Sequence, residues 1–195
     1  MRKLVVSMNM TLDGFMAGLH GELDWHIPYW NEEMARTAAE QLGRADTILL
    51  GRVTYQMMAS YWPLQQTAAY SPREDADYAA MMNRYEKVVA SKTMLRAANW
   101  QNSRLAKRNI AKEISELKQQ VGKEIIIYGS GKLVTALTKL NLIDEYRLWI
   151  HPVAIKKGRP LFKGLQNLKI CNKTEFSSGV VLMCYTVIIS RPCTG

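Results

Sequence analysis

Short apolar runs, most of them rich in β-branched residues, recur along the chain and are typical of strands. The predicted strands cover residues 4–8, 46–50, 87–91, 124–128, 145–151, 169–176 and 180–190. The run 124–128 is apolar throughout after Glu124, which indicates a central, parallel strand. The last two runs flank Ser177-Ser178-Gly179 and predict a terminal hairpin.

Between these runs, apolar residues repeat at helical spacing. The predicted helices cover residues 31–42, 54–60, 72–83, 110–121 and 132–142, and a loop is expected at 61–71. Asn31 is a suitable N-cap for the first helix, and Pro72 suits a first turn. Strands that alternate with helices and end in antiparallel strands predict an α/β fold, a three-layer αβα sandwich around a mixed sheet. With 195 residues and no linker, the chain is expected to form one domain, 1–195.

Charge is distributed unevenly. Residues 1–95 carry 9 Lys and Arg against 11 Asp and Glu, whereas residues 96–195 carry 17 against 6, so the two halves have net charges of −2 and +11, which sum to +9. A phosphate-rich small molecule and a merely solvated basic face both fit this asymmetry. The positive residues are scattered singly and no nucleic-acid-binding motif accompanies them, so we expect no nucleic-acid partner.

Other compositional features narrow the class of protein. The longest apolar stretch, 180–189, is about half of the ~20 residues that a membrane helix requires, and the N-terminus lacks a signal-peptide core. Three cysteines without Cys-x-x-Cys spacing predict reduced thiols, and three histidines share no ligand spacing with them, so no metal site is expected. These features predict a cytoplasmic protein with no membrane partner.

Glycine and basic residues follow three of the predicted strands. The segments are Gly51-Arg52-Val53-Thr54, Ser91-Lys92-Thr93 and Gly129-Ser130-Gly131-Lys132. In open α/β sheets ligands bind beyond the carboxyl ends of strands. Glycines there allow close approach of a ligand, a helix N-terminus offers free N–H groups, and the Arg52 guanidinium can pair with a phosphate.

Each segment also has an ordinary structural interpretation. Gly129-Ser130-Gly131 lacks the spacing of a Walker loop or of a dinucleotide fingerprint, and it equally suits a tight turn. Arg52 equally suits a solvated surface position, and Lys92, at a strand end, suits one better than a ligand site. Three such segments in one sheet together favour a ligand with a pyrophosphate and a ribose phosphate, which describes NADPH.

Several motifs, in this order, resemble the dihydrofolate reductase-like superfamily, in the branch that contains the riboflavin-biosynthesis reductase domain. They are Thr11-Leu12-Asp13-Gly14-Phe15-Met16-Ala17, Gly51-Arg52-x-Thr54-Tyr55, Gly129-Ser130-Gly131, Leu142-Ile143-Asp144-Glu145-Tyr146 with His151-Pro152-Val153, and Gly158-Arg159-Pro160-Leu161-Phe162. The resemblance spans residues 4 to about 190. It implies a dihydrofolate reductase-like fold, a homodimer and NADPH as hydride donor.

The resemblance also implies roles for particular residues. Those expected at the cofactor are Ala17, Gly18, Gly51, Arg52, Thr54, Ser91, Lys92, Gly129, Ser130, Gly131, Lys132 and Leu133. Arg52 and Thr54 would meet the cofactor phosphates, and Ser91 and Lys92 the adenosine 2′-phosphate. The loop from Asp13 through Gly18 would lie beside the nicotinamide, with Asp13 as a candidate proton relay. Trp25 would close over the substrate, and Trp30 is a second candidate for contact with a planar ring.

Dihydrofolate reductases place a carboxylate about five residues after the tryptophan that corresponds to Trp25. Here that position is Trp30 or Asn31, with Glu32 the nearest acid. We therefore expect an NADPH-dependent reductase of the 5-amino-6-(5-phosphoribosylamino)uracil type, acting on a small heterocyclic or sugar-bearing molecule. Two alternatives remain: dihydrofolate reduction with a displaced carboxylate, Glu32 or Glu33, and a dimer that binds nucleotide without turnover.

Overall fold

The computed structural model describes residues 1–65, 73–107 and 109–188. The central sheet has eight strands. Its strands are β1 (Leu4–Thr11), β3 (Ala45–Gly51), β4 (Glu86–Ala90), β5 (Ser103–Leu105), β6 (Glu124–Ile127), β7 (Glu145–His151), β9 (Leu168–Glu175) and β10 (Val181–Val187). The strand order is β5-β4-β3-β6-β1-β7-β10-β9. A separate two-stranded sheet pairs β2 (Phe15–Ala17) with β8 (Arg159–Pro160).

Six neighbouring strands, β5 through β7 in the sheet order, are parallel. Strand β10 is antiparallel to both β7 and β9, so the sheet is mixed. Strand β6 lies between β3 and β1 and pairs in parallel with both, which confirms the prediction made from its apolar run. The terminal hairpin is confirmed as well, with Gly179 at a φ of 82° in its turn.

Helices cover both faces of the sheet. They are α1 (Glu32–Gly43), α2 (Arg52–Ala59), α3 (Trp62–Gln65), α4 (Arg73–Arg84), α5 (Ile110–Gln119) and α6 (Gly131–Lys139), with a 3-10 helix at Asp24–Tyr29. Helices α5 and α6 bury Ile114, Leu117, Val134 and Leu137 against one face. On the other face α1, α2 and α4 contribute Leu42, Tyr55 and Met82. The three-layer αβα arrangement is therefore confirmed.

Several predicted boundaries need correction. Helix α2 begins at Arg52 instead of Thr54, and α6 ends at Lys139 instead of Leu142. The predicted loop 61–71 contains the short helix α3, and strands β2, β5 and β8 were not predicted. Each missed element has two to four residues, too few to show a period. Pro72, residues 66–71 and 189–190, and Cys193 lie outside the described residues.

Candidate functional site

The parallel strands bring the three predicted segments to one edge of the sheet. Gly51, the last residue of β3, pairs with Ala90 at the end of β4. Leu49 pairs with Ile127 at the end of β6. The residues that follow these strands therefore lie side by side at the carboxyl edge, where ligands bind in open α/β sheets.

Two of the glycine segments touch directly. The Gly51 N–H donates to the Gly129 carbonyl at 3.2 Å. A Cβ on Gly51 would overlap the Ser130 side chain, and one on Gly129 would lie 3.0 Å from Thr54 Oγ1. Gly129 also has a φ of 129°, and its peptide bond to Ser130 is cis. Glycine at these two positions therefore permits a contact that a larger residue would disturb.

This contact joins the N-termini of α2 and α6. Among the described residues, no side chain caps the first turn of either helix. By contrast, Asn31 accepts from Met34 N–H in α1, and Asn109 accepts from Lys112 N–H in α5. The unbonded amides of a first turn carry about half a positive elementary charge, so the two uncapped ends together form a site suited to an anion.

Exposed cationic residues follow the ends of strands β3, β4 and β6. Arg52 and Lys132 are exposed in the first turns of α2 and α6, and Arg52 Nη1 donates to Gln56 Oε1 at 3.1 Å. After β4, the exposed Lys92 follows Ser91, whose Oγ accepts from the N–H groups of Thr93 and Met94. The register of β3 and β4 therefore places Lys92 and Arg52 on adjacent strand ends, as predicted.

The loop after β1 packs against the same edge of the sheet. Met16 packs so closely on Gly131 that a Cβ there would overlap its sulfur and terminal methyl. Ala17 and Gly18 are buried, and a Cβ on Gly158 would lie 2.5 Å from the Ala17 carbonyl. The predicted neighbours of the nicotinamide thus stand next to the predicted pyrophosphate segment.

Asp13 holds this loop to the chain after β7. Its carboxylate accepts from Thr11 Oγ1 at 2.6 Å and from Lys156 N–H at 2.8 Å. The Thr11 hydroxyl, followed by the backbone amides, lowers the pKa of Asp13 although the residue is exposed. The carboxylate is therefore ionised near neutral pH and engaged within the protein. A role in proton transfer stays a prediction.

Trp25 belongs to the 3-10 helix Asp24–Tyr29. Its ring lies edge-on to His151, with centroids 5.3 Å apart. Trp30, 46% exposed, follows the helix and lies 6.0 Å from the ring of Trp149. Trp149 clusters with Met34 of α1, and His151 lies two residues further along β7, so both tryptophans lie on the sheet face covered by α1.

Two residues of this region were not predicted as site residues: His151, at the end of β7, and Asn9, on β1. His151 is fully buried, and its Nε2 lies 3.2 Å from Asn9 Oδ1. The sequence signal that would identify His151 is its position at the end of a predicted strand. Leu133, in turn, is buried in the core, so it offers a ligand only its backbone.

Glu32 and Glu33, the two carboxylates considered for dihydrofolate reduction, lie in the first turn of α1. Glu33 Oε2 accepts from the N–H and the hydroxyl of Ser177, in the terminal hairpin. Glu32 is exposed in the first turn of α1. Within the described ranges there is no group of three or more His, Cys, Asp or Glu residues that could hold a metal ion. None of the described helices is long and apolar enough to cross a membrane.

Comparison with known proteins identifies a family that this chain matches. The family model described as RibD C-terminal domain matches residues 2–182. The chain is also 35% identical over 187 residues to the Bacillus subtilis (strain 168) protein called Uncharacterized protein YyaP, which covers 94% of each chain.

Solved structures share the fold. A putative riboflavin biosynthesis protein from Shewanella sp. PV-4 has a TM-score of 0.72 and 21% identity, covering 95% of this chain and 99% of that one. The Thermotoga maritima diaminohydroxyphosphoribosylaminopyrimidine deaminase/5-amino-6-(5-phosphoribosylamino)uracil reductase has a TM-score of 0.67 and 16% identity, over 96% and 57% of the chains. Dihydrofolate reductase from Enterococcus faecalis, complexed with NADP(H), has 0.61 and 11%, over 95% and 96%. The dihydrofolate reductase-like fold is confirmed.

Proposed function

This chain belongs to the RibD C-terminal domain family, and from that membership we propose that it is an NADPH-dependent reductase. Its substrate is a small heterocyclic or sugar-bearing molecule of the 5-amino-6-(5-phosphoribosylamino)uracil type. The names of the Shewanella and Thermotoga proteins support the riboflavin pathway, and the NADP(H) complex of the Enterococcus enzyme supports the cofactor.

One observation of this structure carries the proposal: the uncapped N-termini of α2 and α6 meet through Gly51, Gly129 and Ser130. A pyrophosphate consists of two linked, negatively charged phosphate groups, so it would accept hydrogen bonds from the first-turn amides of both helices at once. Asparagine side chains cap α1 and α5, so among these four helices the cap is absent only from the two whose N-termini meet at the glycine contact.

The surrounding residues fit NADPH. Arg52 and Lys132 would neutralise the pyrophosphate, and Thr54 beside Gly129 would bind it through its hydroxyl. Ser91 and Lys92, on the neighbouring strand end, would bind the 2′-phosphate. Met16, Ala17 and Gly18 would lie along the nicotinamide.

The cofactor supplies the hydride, and the protein orients the two reactants and excludes water. Asp13 fixes the loop after β1 through Thr11 and Lys156, and Trp25 covers the substrate side. Because the hydrogen bonds of Asp13 favour its ionised form, we assign the proton to water.

The test is oxidation of NADPH, followed by loss of nicotinamide absorbance, with 5-amino-6-(5-phosphoribosylamino)uracil or with dihydrofolate as acceptor. The proposal expects turnover with the pyrimidine. Turnover with dihydrofolate alone would favour the displaced-carboxylate alternative, and Glu32→Gln would then abolish it. NADPH binding that is lost in Arg52→Ala, without turnover of either acceptor, would indicate the non-catalytic alternative.

We also propose that the protein acts as a homodimer in the cytoplasm, without a nucleic-acid or membrane partner. Strand β9 supports the dimer, because it forms an outer edge of the sheet and most of its side chains are exposed. An unpaired edge strand of this length is commonly covered or paired. Sedimentation equilibrium at several salt concentrations should give twice the chain mass of 22.2 kDa.

A further inference from the structure

His151 presents an unusual combination of burial and free hydrogen-bonding capacity. The residue is fully buried. Its Nε2 lies 3.2 Å from the Oδ1 of Asn9, so Nε2 carries the proton and donates. The other ring nitrogen, Nδ1, is buried and has no hydrogen-bond partner in the described part of the chain. A buried acceptor without a donor costs about 1–3 kcal/mol, and such atoms are rare in native proteins.

Position explains why a ligand donor is a reasonable partner. His151 ends β7 and pairs with Thr11 at the end of β1, so it lies at the carboxyl edge that carries the proposed cofactor site. Asn9, on β1, is partly exposed and contacts the ring.

The short helix Asp24–Tyr29 packs on His151. The rings of Trp25, His26 and Tyr29 lie edge-on to the imidazole, with centroids 5.3, 5.9 and 5.9 Å away. In the described part of the chain, the side-chain hydrogen bonds of this helix are local, from Trp25 to the Glu22 carbonyl and from His26 to the Leu23 carbonyl. None of its six residues is buried. Ring edges and the packing of Tyr29 on the neighbouring apolar cluster hold this helix, and movement of the helix would release them.

We propose that His151 binds the substrate: with the helix Asp24–Tyr29 displaced, Nδ1 accepts a hydrogen bond from an N–H group of the heterocyclic ring, while Nε2 remains bonded to Asn9. This inference rests on the proposed function and assigns one recognition contact within it. A ring with an amide-type N–H, such as a pyrimidinedione, has the matching donor.

Substitution of His151 by asparagine or by glutamine distinguishes substrate binding from a purely structural role. Asparagine places its terminal amide two bonds beyond Cβ, as Nδ1 is, whereas glutamine places it three bonds beyond, as Nε2 is. His151→Asn therefore keeps a group near the ligand-facing position, and His151→Gln keeps one near Asn9. His151→Phe keeps the ring and neither nitrogen.

The experiment measures KM and kcat for 5-amino-6-(5-phosphoribosylamino)uracil at saturating NADPH in all three variants, with the NADPH Kd and the Tm of each. We expect His151→Gln and His151→Phe to raise KM about tenfold, the effect of one lost hydrogen bond near 1.4 kcal/mol. His151→Asn should stay within about threefold of the wild type, and the NADPH Kd should change less than about twofold throughout. If His151→Gln performs as well as His151→Asn or better, the ring serves only the contact with Asn9 and the inference is overturned.

A second measurement needs no variant. Diethyl pyrocarbonate modifies unprotonated imidazole nitrogens, and peptide mass spectrometry resolves His20, His26 and His151. Because His151 is fully buried, its modification in the free protein requires the helix displacement that we propose, and we expect such modification to occur slowly. We expect 5,6-diaminouracil, added with NADP⁺, to slow it several-fold further and to leave the modification of the exposed His20 unchanged. An unchanged rate at His151 overturns the inference even where NADPH binds normally, whereas failure to bind NADPH overturns the proposed function as well.

Discussion

At the scale of single residues, the candidate site depends on the absence of side chains as much as on their presence. Gly51 has ordinary backbone geometry, yet a Cβ there would press on the side chain and the backbone nitrogen of Ser130. Gly43, at the end of α1, has open space in the same respect. Substitution of Gly51 therefore tests the contact at the candidate site, and substitution of Gly43 is its control for the general effect of replacing a glycine.

We predict that Gly51→Ala weakens NADPH binding about tenfold or more, because it pushes Ser130 and the α6 amides out of position. Gly43→Ala should leave the NADPH Kd unchanged and should raise the free energy of unfolding by about 0.4–1 kcal/mol. Isothermal titration with NADPH and urea unfolding measure the two effects. Equal NADPH affinity in both variants would contradict the proposed contact.

His151 also gives the protein a definite dependence on pH. Burial, with a smaller contribution from the nearby His26, lowers the pKa of His151 from 6.5 to about 4. In the unfolded chain the imidazole takes up a proton below about pH 6.5, and in the folded chain it does not until about pH 4. Stability is therefore greatest above pH 6.5 and falls as the pH is lowered through this window.

For this residue alone, we predict a loss of roughly 2 kcal/mol in the free energy of unfolding between pH 7 and pH 5. Urea unfolding of the wild type and of His151→Phe at both pH values isolates the contribution of His151 to this loss, because the variant lacks the titrating group. The wild type should lose more stability than the variant. Parallel curves would show that His151 titrates normally in the folded protein.

At the scale of elements, the four helices with defined N-caps divide into two kinds. Asparagine side chains cap α1 and α5, the two helices that do not begin at the glycine contact. Gly51 and Ser130, the residues that precede α2 and α6, supply no such cap. Their first turns read Arg52-Val53-Thr54 and Gly131-Lys132-Leu133, with cations where acidic residues are usual. Both features favour an anion at this edge.

Lys132 and Lys139 allow a matched test, because both are exposed on α6, in its first and last turns. We predict that Lys132→Glu weakens NADPH binding about tenfold or more, since it places a carboxylate beside the pyrophosphate. Lys139→Glu should change the Kd less than about twofold, although it costs some tenths of a kcal/mol in helix stability. A fluorescence titration of each variant decides. Similar losses in both would indicate only a general effect of net charge.

Capping itself predicts a further contrast. Asn109→Ala removes the cap of α5 and should lower the free energy of unfolding by about 1 kcal/mol. Ser130→Ala removes no cap from α6 and should lie within about 0.5 kcal/mol of the wild type. Urea unfolding measures both, and a larger loss for Ser130→Ala would mean that its hydroxyl supports the helix after all.

At the scale of the whole molecule, the sequence predicted the layers, the mixed sheet and the neighbourhood of the three strand-end segments. Strand β7 was predicted with its observed bounds, Glu145–His151. Strands β2 and β8 were missed, because their pairing depends on tertiary contacts and β8 contains Pro160. The same reason hid His151, since its cover comes from residues 24–29, which pack on it only in the folded chain.

The most direct measurement of the central claim is a titration of the protein with NADPH and, in parallel, with NADH, followed by nicotinamide fluorescence and by Tm. We predict saturable binding of NADPH with an increase in Tm, because a ligand at about 100 times its Kd adds about 2.7 kcal/mol to the free energy of unfolding. NADH should bind about tenfold or more weakly, and Lys92→Ala should remove most of that difference. No fluorescence change and no shift in Tm at millimolar NADPH would contradict the claim that this edge of the sheet holds the cofactor.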